Sequence, residues 1–112
     1  MNDCIFCKII KGEIPSQKVY DSPTLLAFKD IHPVSPVHIL IIPKKHIPSL
    51  SDAAAADQAL LGEMLLAAKN IASEKELSDY RIIINNGRGS GQTVFHIHLH
   101  LLSGRLFTWP PG

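Results

Sequence analysis

The chain has 112 residues, 46% of them hydrophobic and 19% charged, with a formal net charge of +1 and two cysteines. That length suits one domain, residues 1–112, with a single modest core. The near-neutral balance, with no basic cluster beyond Lys44-Lys45, argues against a nucleic-acid or anionic-membrane surface, and apolar runs such as Ile39-Leu40-Ile41-Ile42 are too short to cross a bilayer.

The opening "MNDCIFCKII" lacks the basic and long apolar segments of a secretory signal, so a cytoplasmic location is expected. In that compartment the cysteines are not expected to form a structural disulfide. Ile5 to Ile10 reads as a short helical turn, stopped near Gly12 and Pro15. Two extended runs follow, Lys18 to Tyr20 and Thr24 to Phe28, with Asp21-Ser22-Pro23 as the turn between them. Pro33 and Pro36 break the chain before a strand from Val37 to Ile42, whose successive aliphatics suggest burial on both faces.

A long helix is predicted from Asp52 to about Glu76, roughly 37 Å at about 1.5 Å per residue. Ser51 or Asp52 would cap it, Ala53 to Ala56 would lie inside it, and Leu61, Met64, Leu65, Ala68, Ile71 and Ala72 would form its core face. Tyr80 to Ile84 and Val94 to Leu102 complete a set of about five strands. Strands joined by turns and long loops around one long and one short N-terminal helix predict an α+β fold with an antiparallel sheet.

The last strand carries an unusual pattern, His96-Ile97-His98-Leu99-His100-Leu101-Leu102. On a strand, alternate residues share a face, so three imidazoles would line one surface while Ile97, Leu99 and Leu101 anchor it from behind. Three readings are open: a half-exposed strand that happens to carry histidine, a metal site using His-x-His, and acid–base or covalent chemistry at imidazole. No carboxylate nearby marks a three-histidine zinc hydrolase. The preceding loop, "NNGRGSGQT", holds Gly87, Gly89 and Gly91, whose freedom lets successive N–H groups converge on an anionic oxygen. It is not a Walker A loop, since no Gly-Lys-Ser/Thr follows. Imidazoles beside such a loop suggest chemistry on a phosphate.

These residues resemble the signature of the histidine triad (HIT) proteins, His-φ-His-φ-His-φ-φ with φ apolar. The resemblance covers nearly the whole chain: "IFCKIIKGEIPS", "LAFKDIHPVSPVHILIIPKKHI" and "NNGRGSGQTVFHIHLHLL" are similar to the family's opening, middle and end. The terminal "GRLFTWPPG", within a tail over 103–112, looks like the Hint branch. The resemblance implies a HIT-like fold and a purine nucleoside phosphoramidase that hydrolyses adenosine 5′-phosphoramidates to AMP and an amine through a nucleotidyl-histidine intermediate.

By that match His98 is the nucleophile and His100 hydrogen-bonds the α-phosphate and departing group; a nucleophilic imidazole needs its other nitrogen tied as N–H to an acceptor, and a flanking strand carbonyl can be that acceptor. His38 is the family's fourth histidine, supporting the network, and His96 is the first of the triad. Asn85, Gly91, Gln92 and Thr93 match positions near the phosphate, and Asp30 matches the acid that accepts from ribose hydroxyls. Phe6, Ile9, Phe28, Ile31 and Leu40, with Ile5 a weaker candidate, match the apolar walls around the purine. No metal or other cofactor is required for the displacement.

Cys4-Ile-Phe-Cys7 is by itself only half a zinc site. Some bacterial relatives hold zinc at positions matching Cys4, Cys7, His46 and His96, so the resemblance implies a structural zinc. It also implies a homodimer joined edge to edge, with the tail near the partner's active site. Rival functions on the same scaffold are dinucleoside polyphosphate hydrolysis, nucleotidyl transfer to another acceptor, or a nucleotide-binding adaptor. Lys29 stands where some relatives have histidine, and Asn86 where some have an acid. His32 reads as a solvated loop residue.

Overall fold

The computed structural model describes residues 3–112. The elements in chain order are α1 (Ile5–Ile10), β1 (Lys18–Asp21), β2 (Leu25–Lys29), β3 (Val37–Pro43), α2 (Gln58–Glu74), β4 (Arg81–Ile83) and β5 (Leu99–Ser103), with short 3-10 turns at Leu50–Asp52, Ala55–Asp57 and Arg88–Ser90. The five strands form one sheet in the order β1-β2-β3-β5-β4, every neighbouring pair antiparallel. This is the expected α+β architecture.

The sheet is covered on both faces. Leu25, Ala27, Ile39, Ile41, Leu99 and Leu101 point to one side and pack on Met64, Ala67, Ala68 and Ile71 of α2. Leu26, Phe28, Leu40 and Ile42 point to the other and pack on Phe6 and Ile9 of α1. The aliphatic run in β3 is therefore split residue by residue between two cores, as a strand buried on both faces requires. Among the described residues, no helix is long and apolar enough to cross a membrane.

Several expectations need correction. Helix α2 starts at Gln58, not Asp52, which makes it about 26 Å long. Asp57 is the reason: its carboxylate accepts Ala54 N–H at 2.9 Å and meets Lys45 Nζ at 2.6 Å. That contact fixes Ala55–Asp57 as a separate 3-10 turn, so neither Ser51 nor Asp52 caps the helix. Leu65 is 50% exposed and lies off the core face.

Strand β5 begins at Leu99, five residues later than predicted. Its ladder with β3 ends at the Ile41–Leu99 pair and its ladder with β4 at Ile83–His100. Earlier residues are held differently, Ile97 N–H donating to Ile47 O at 2.7 Å. Ser103, the first residue of the expected tail, is still in the strand, and its hydroxyl donates to Asp79 O.

Candidate active site

Register assembles the site. Phe28 pairs with Leu40, and Leu40 pairs with His100, so these three form one cross-strand row. His38 pairs with Leu102, which sets it diagonal to His100 on the face covered by α1. A cavity of about 430 Å³ opens on this face. Its lining includes Phe6, Ile9, Phe28 and Leu40 on the apolar side and Asp30, Thr93, His38, His98 and His100 on the polar side. Ile31 is 84% exposed and reaches only the rim. Ile5, Ser16, Val34 and Val94 also line it; of these, only Ile5 carries a signal in the sequence.

The histidines are not equivalent. Only His100 lies within β5; His96 and His98 precede it. The two-residue alternation nevertheless persists, since Ile97, Leu99 and Leu101 are almost wholly buried behind the row. The His98 and His100 ring centroids are 5.0 Å apart. His98 Nδ1 lies 2.7 Å from His96 O. A carbonyl only accepts, so the proton of neutral His98 is on Nδ1 and the Nε2 lone pair is left uncommitted. Burial lowers the His98 pKa, opposed by that bond and by Asp30, and keeps the ring neutral.

A second chain of bonds sets His100. Val34 N–H donates to His38 Nδ1 at 3.1 Å, so the His38 proton is on Nε2. That N–H faces His100 Nδ1 at 2.9 Å, with Asp30 Oδ2 at 3.3 Å. His100 Nδ1 then accepts, and its own proton is on Nε2. Among the described residues, that buried Nε2 has no acceptor. The result is an uncommitted lone pair on His98 and an unanswered donor on His100, one ring apart. Burial, reinforced by His98 and His38, pushes the His100 pKa down to about 4. Burial likewise lowers that of His38, against the pull of Asp30.

Asp30, His38 and His100 are close enough to suggest a metal site. The Val34 amide argues otherwise. With Nδ1 accepting, His38 keeps hydrogen on Nε2, the atom that would have to bind the ion.

His96 turns away from this cavity. Its Nε2–H donates to Pro43 O at 2.7 Å, which leaves Nδ1 as a lone pair. That atom lies 3.2 Å from His46 Nδ1, 3.3 Å from Cys4 Sγ and 3.6 Å from Cys7 Sγ; Cys7 Sγ and His46 Nδ1 are 3.4 Å apart. The ligand atoms of all four residues lie within 4.8 Å of one another. Tetrahedral zinc with ordinary bond lengths would separate N from N by about 3.4 Å and N from S by about 3.6 Å. Donor set and spacing fit the metal. Helix α1 connects the two centres: Phe6, between the cysteines, packs edge-on at 5.9 Å from His96 and 5.0 Å from His98.

The glycine-rich loop differs from expectation. Gly87 and Gly91 take left-handed φ values of 89° and 96°, as a tight turn requires. Its amides, however, serve the loop: Ser90 and Gln92 N–H donate to Gly87 O, Gly91 N–H to Arg88 O, and Gly87 N–H to Gln92 Oε1. The buried Gln92 side chain also donates to Pro48 O and Val94 O. The Gly91 and Gln92 amides are thus bonded within the loop in this structure. Asn85 stands beside Gly91 but does not line the cavity, so of that group only Thr93 faces it.

Known proteins place this arrangement. Residues 11–106 match the HIT domain. An uncharacterized HIT-like protein of Synechocystis is 56% identical over 111 residues, 98% of this chain and 97% of that relative. A HIT family hydrolase from Legionella pneumophila superposes with a TM-score of 0.96 at 51% identity, covering 98% of this chain and 100% of that one. A histidine triad nucleotide-binding protein from Candida albicans gives 0.84 at 36% identity, covering 96% and 83%. With its histidine row, two-faced sheet and near full-length likeness to these proteins, the chain belongs to the HIT domain family.

Proposed function

We propose that this protein is a purine nucleoside phosphoramidase, hydrolysing adenosine 5′-phosphoramidates to AMP and an amine. The observation that carries the reading is the paired tautomers: a His98 Nε2 lone pair beside a His100 Nε2–H, at the polar end of an apolar cavity. The Legionella and Candida proteins, a hydrolase and a nucleotide-binding protein, support it.

His98 Nε2 attacks the α-phosphorus of the phosphoramidate protonated on its nitrogen, forming an N–P bond as the P–N bond breaks and the neutral amine leaves; the water of the second step returns a proton to solvent. His100 Nε2–H hydrogen-bonds the charge that develops on the phosphoryl and departing atoms. Water then attacks phosphorus, the bond to His98 breaks, and AMP leaves. Phe6, Ile9, Phe28 and Leu40 pack on the purine, Ile31 closes the rim, and Asp30 accepts from the ribose hydroxyls. Thr93 binds a phosphate oxygen.

Cys4, Cys7, His46 and His96 hold a structural zinc, which supplies no chemistry to the displacement and fastens α1 to the sheet. The homodimer reading is supported by the open outer edge of β4 and by Leu65 and Leu66, both at least half exposed on α2. A monomer in sedimentation at micromolar concentration would remove it. The assay for function compares adenosine 5′-phosphoramidate with a dinucleoside polyphosphate as substrates. AMP release from the first alone supports the proposal, and preference for the second replaces it with the rival hydrolase.

A further inference from the structure

The Val34 amide at Nδ1 and the Asp30 carboxylate 3.3 Å from Nε2 together set where the His38 proton sits, yet burial does not hold that amide in place. Val34 is 58% exposed and Ile31 84% exposed, in a segment between Asp30 and β3 that has little apolar anchorage. Pro33 and Pro36 on either side provide no N–H of their own.

What reaches this segment is the chain beyond β5. Gly104, at φ 97°, turns so closely against Pro36 that an added Cβ would lie 2.8 Å from Pro36 Cβ. The next residue, Arg105, donates from Nε to Val34 O at 3.0 Å. Its guanidinium lies 4.4 Å from the Phe107 ring centroid, and that of Arg81 lies 5.2 Å from the same ring. Arg81 Nη2 also donates to Thr108 O at 2.9 Å, tying the tail to β4. Arg105 is thus held from behind and grips the backbone of Val34 in front.

We infer that Arg105 is a positioning residue: by fixing the Val34 backbone it keeps Val34 N–H on His38 Nδ1, and so keeps the protons of His38 and His100 on Nε2. The inference rests on the reading of the histidine row as the reacting centre. If Val34 swings away, His38 can carry its proton on Nδ1 and present a lone pair at Nε2. His100 must then answer with N–H at Nδ1, and the donor at its Nε2 is lost. One anchoring bond in the tail thereby governs a proton two residues removed from it.

The test uses the full chain labelled with 15N, and long-range 1H–15N spectra that read the tautomer of each imidazole. Wild type is expected to show His38 and His100 as single Nε2–H tautomers. Arg105→Met is expected to turn both into mixtures, and Gly104→Ala, which displaces the tail from Pro36, is expected to do the same. Arg105→Lys can still donate to Val34 O and should largely keep the wild-type pattern. On adenosine 5′-phosphoramidate, Arg105→Met should lower kcat by about 10-fold or more, as loss of an orienting partner does, with KM changed less than about twofold. Folded Arg105→Met and Gly104→Ala proteins with wild-type tautomers would overturn the inference. So would equal losses of kcat in Arg105→Met and Arg105→Lys. If wild type does not act on the phosphoramidate, that reading of function fails, while the spectra still decide the role of Arg105.

Discussion

The carbonyl oxygen of His96 and the Nδ1–H of His98 are hydrogen-bonded at 2.7 Å, so the backbone of one histidine sets the proton of the next. Because His98 Nε2 is the uncommitted lone pair that faces the cavity beside His100, His98→Ala should lower phosphoramidate turnover on the order of 10⁴- to 10⁶-fold, with thermal stability measured in parallel. Activity within tenfold of wild type in a folded variant would exclude His98 as the nucleophile.

Acid should weaken the fold. Burial holds the pKa values of His38 and His98 below their ordinary 6.5, and that of His100 at about 4. Between those limits the unfolded chain binds protons that the folded chain refuses, so stability is full above about pH 6.5 and declines as pH falls toward 4. Urea midpoints at pH 7.5, 5.5 and 4.5 should fall in that order. Replacing His100 by Gln should flatten the decline, and a midpoint that rises on acidification would contradict the account.

Metal removal should unfasten α1. Protein purified without chelator is expected to contain about one zinc per chain. Stripping it, or replacing Cys7 by Ser, should cost at least about 1 kcal/mol, a fall of roughly 4 °C in Tm. Metal analysis finding no zinc, with both thiols reduced, would refute the site.

Two leucines should separate sharply. Leu99 is fully buried opposite Ile41, and Leu99→Ala is expected to cost about 2–5 kcal/mol in denaturant unfolding. Leu65 is half exposed on α2, and Leu65→Ala should stay within about 0.5 kcal/mol on the monomer. Similar losses at both positions would mean that the core was assigned wrongly.

Local pattern carries much of this architecture. The α1 boundaries and the double burial of β3 follow from punctuation by glycine and proline and from an unbroken aliphatic run. What pattern misses are effects with distant partners. An alanine-rich stretch favours helix, yet Asp57 breaks it by meeting Lys45, twelve residues back. Strict alternation reads as strand from Val94, yet the ladder with β3 stops at the Ile41–Leu99 pair, and the Ile97 N–H turns to Ile47 O instead. The glycine loop has the composition of an anion cradle, but Gln92 Oε1 takes the Gly87 N–H, and the Ser90, Gly91 and Gln92 amides bond to carbonyls within the loop. The Val34 contribution is least visible of all, because it is a backbone amide that any residue except proline supplies. The resemblance identified the imidazoles, while the hydrogen-bond partners of His38, His96, His98 and His100 assign the nitrogen of each that bears hydrogen.

Phe6 has the last consequence. Its ring walls the cavity against Phe28 at 5.6 Å and against His98, while the cysteines on either side of it in the sequence, Cys4 and Cys7, reach His96 and His46 on the far side. A shortened version starting at Gly12 would retain all six imidazoles and every strand, and so look intact by any count of motifs. It would nonetheless have lost one wall of the cavity and two of the four clustered cysteine and histidine side chains in one cut, which makes these first turns as much a part of the site as the triad itself.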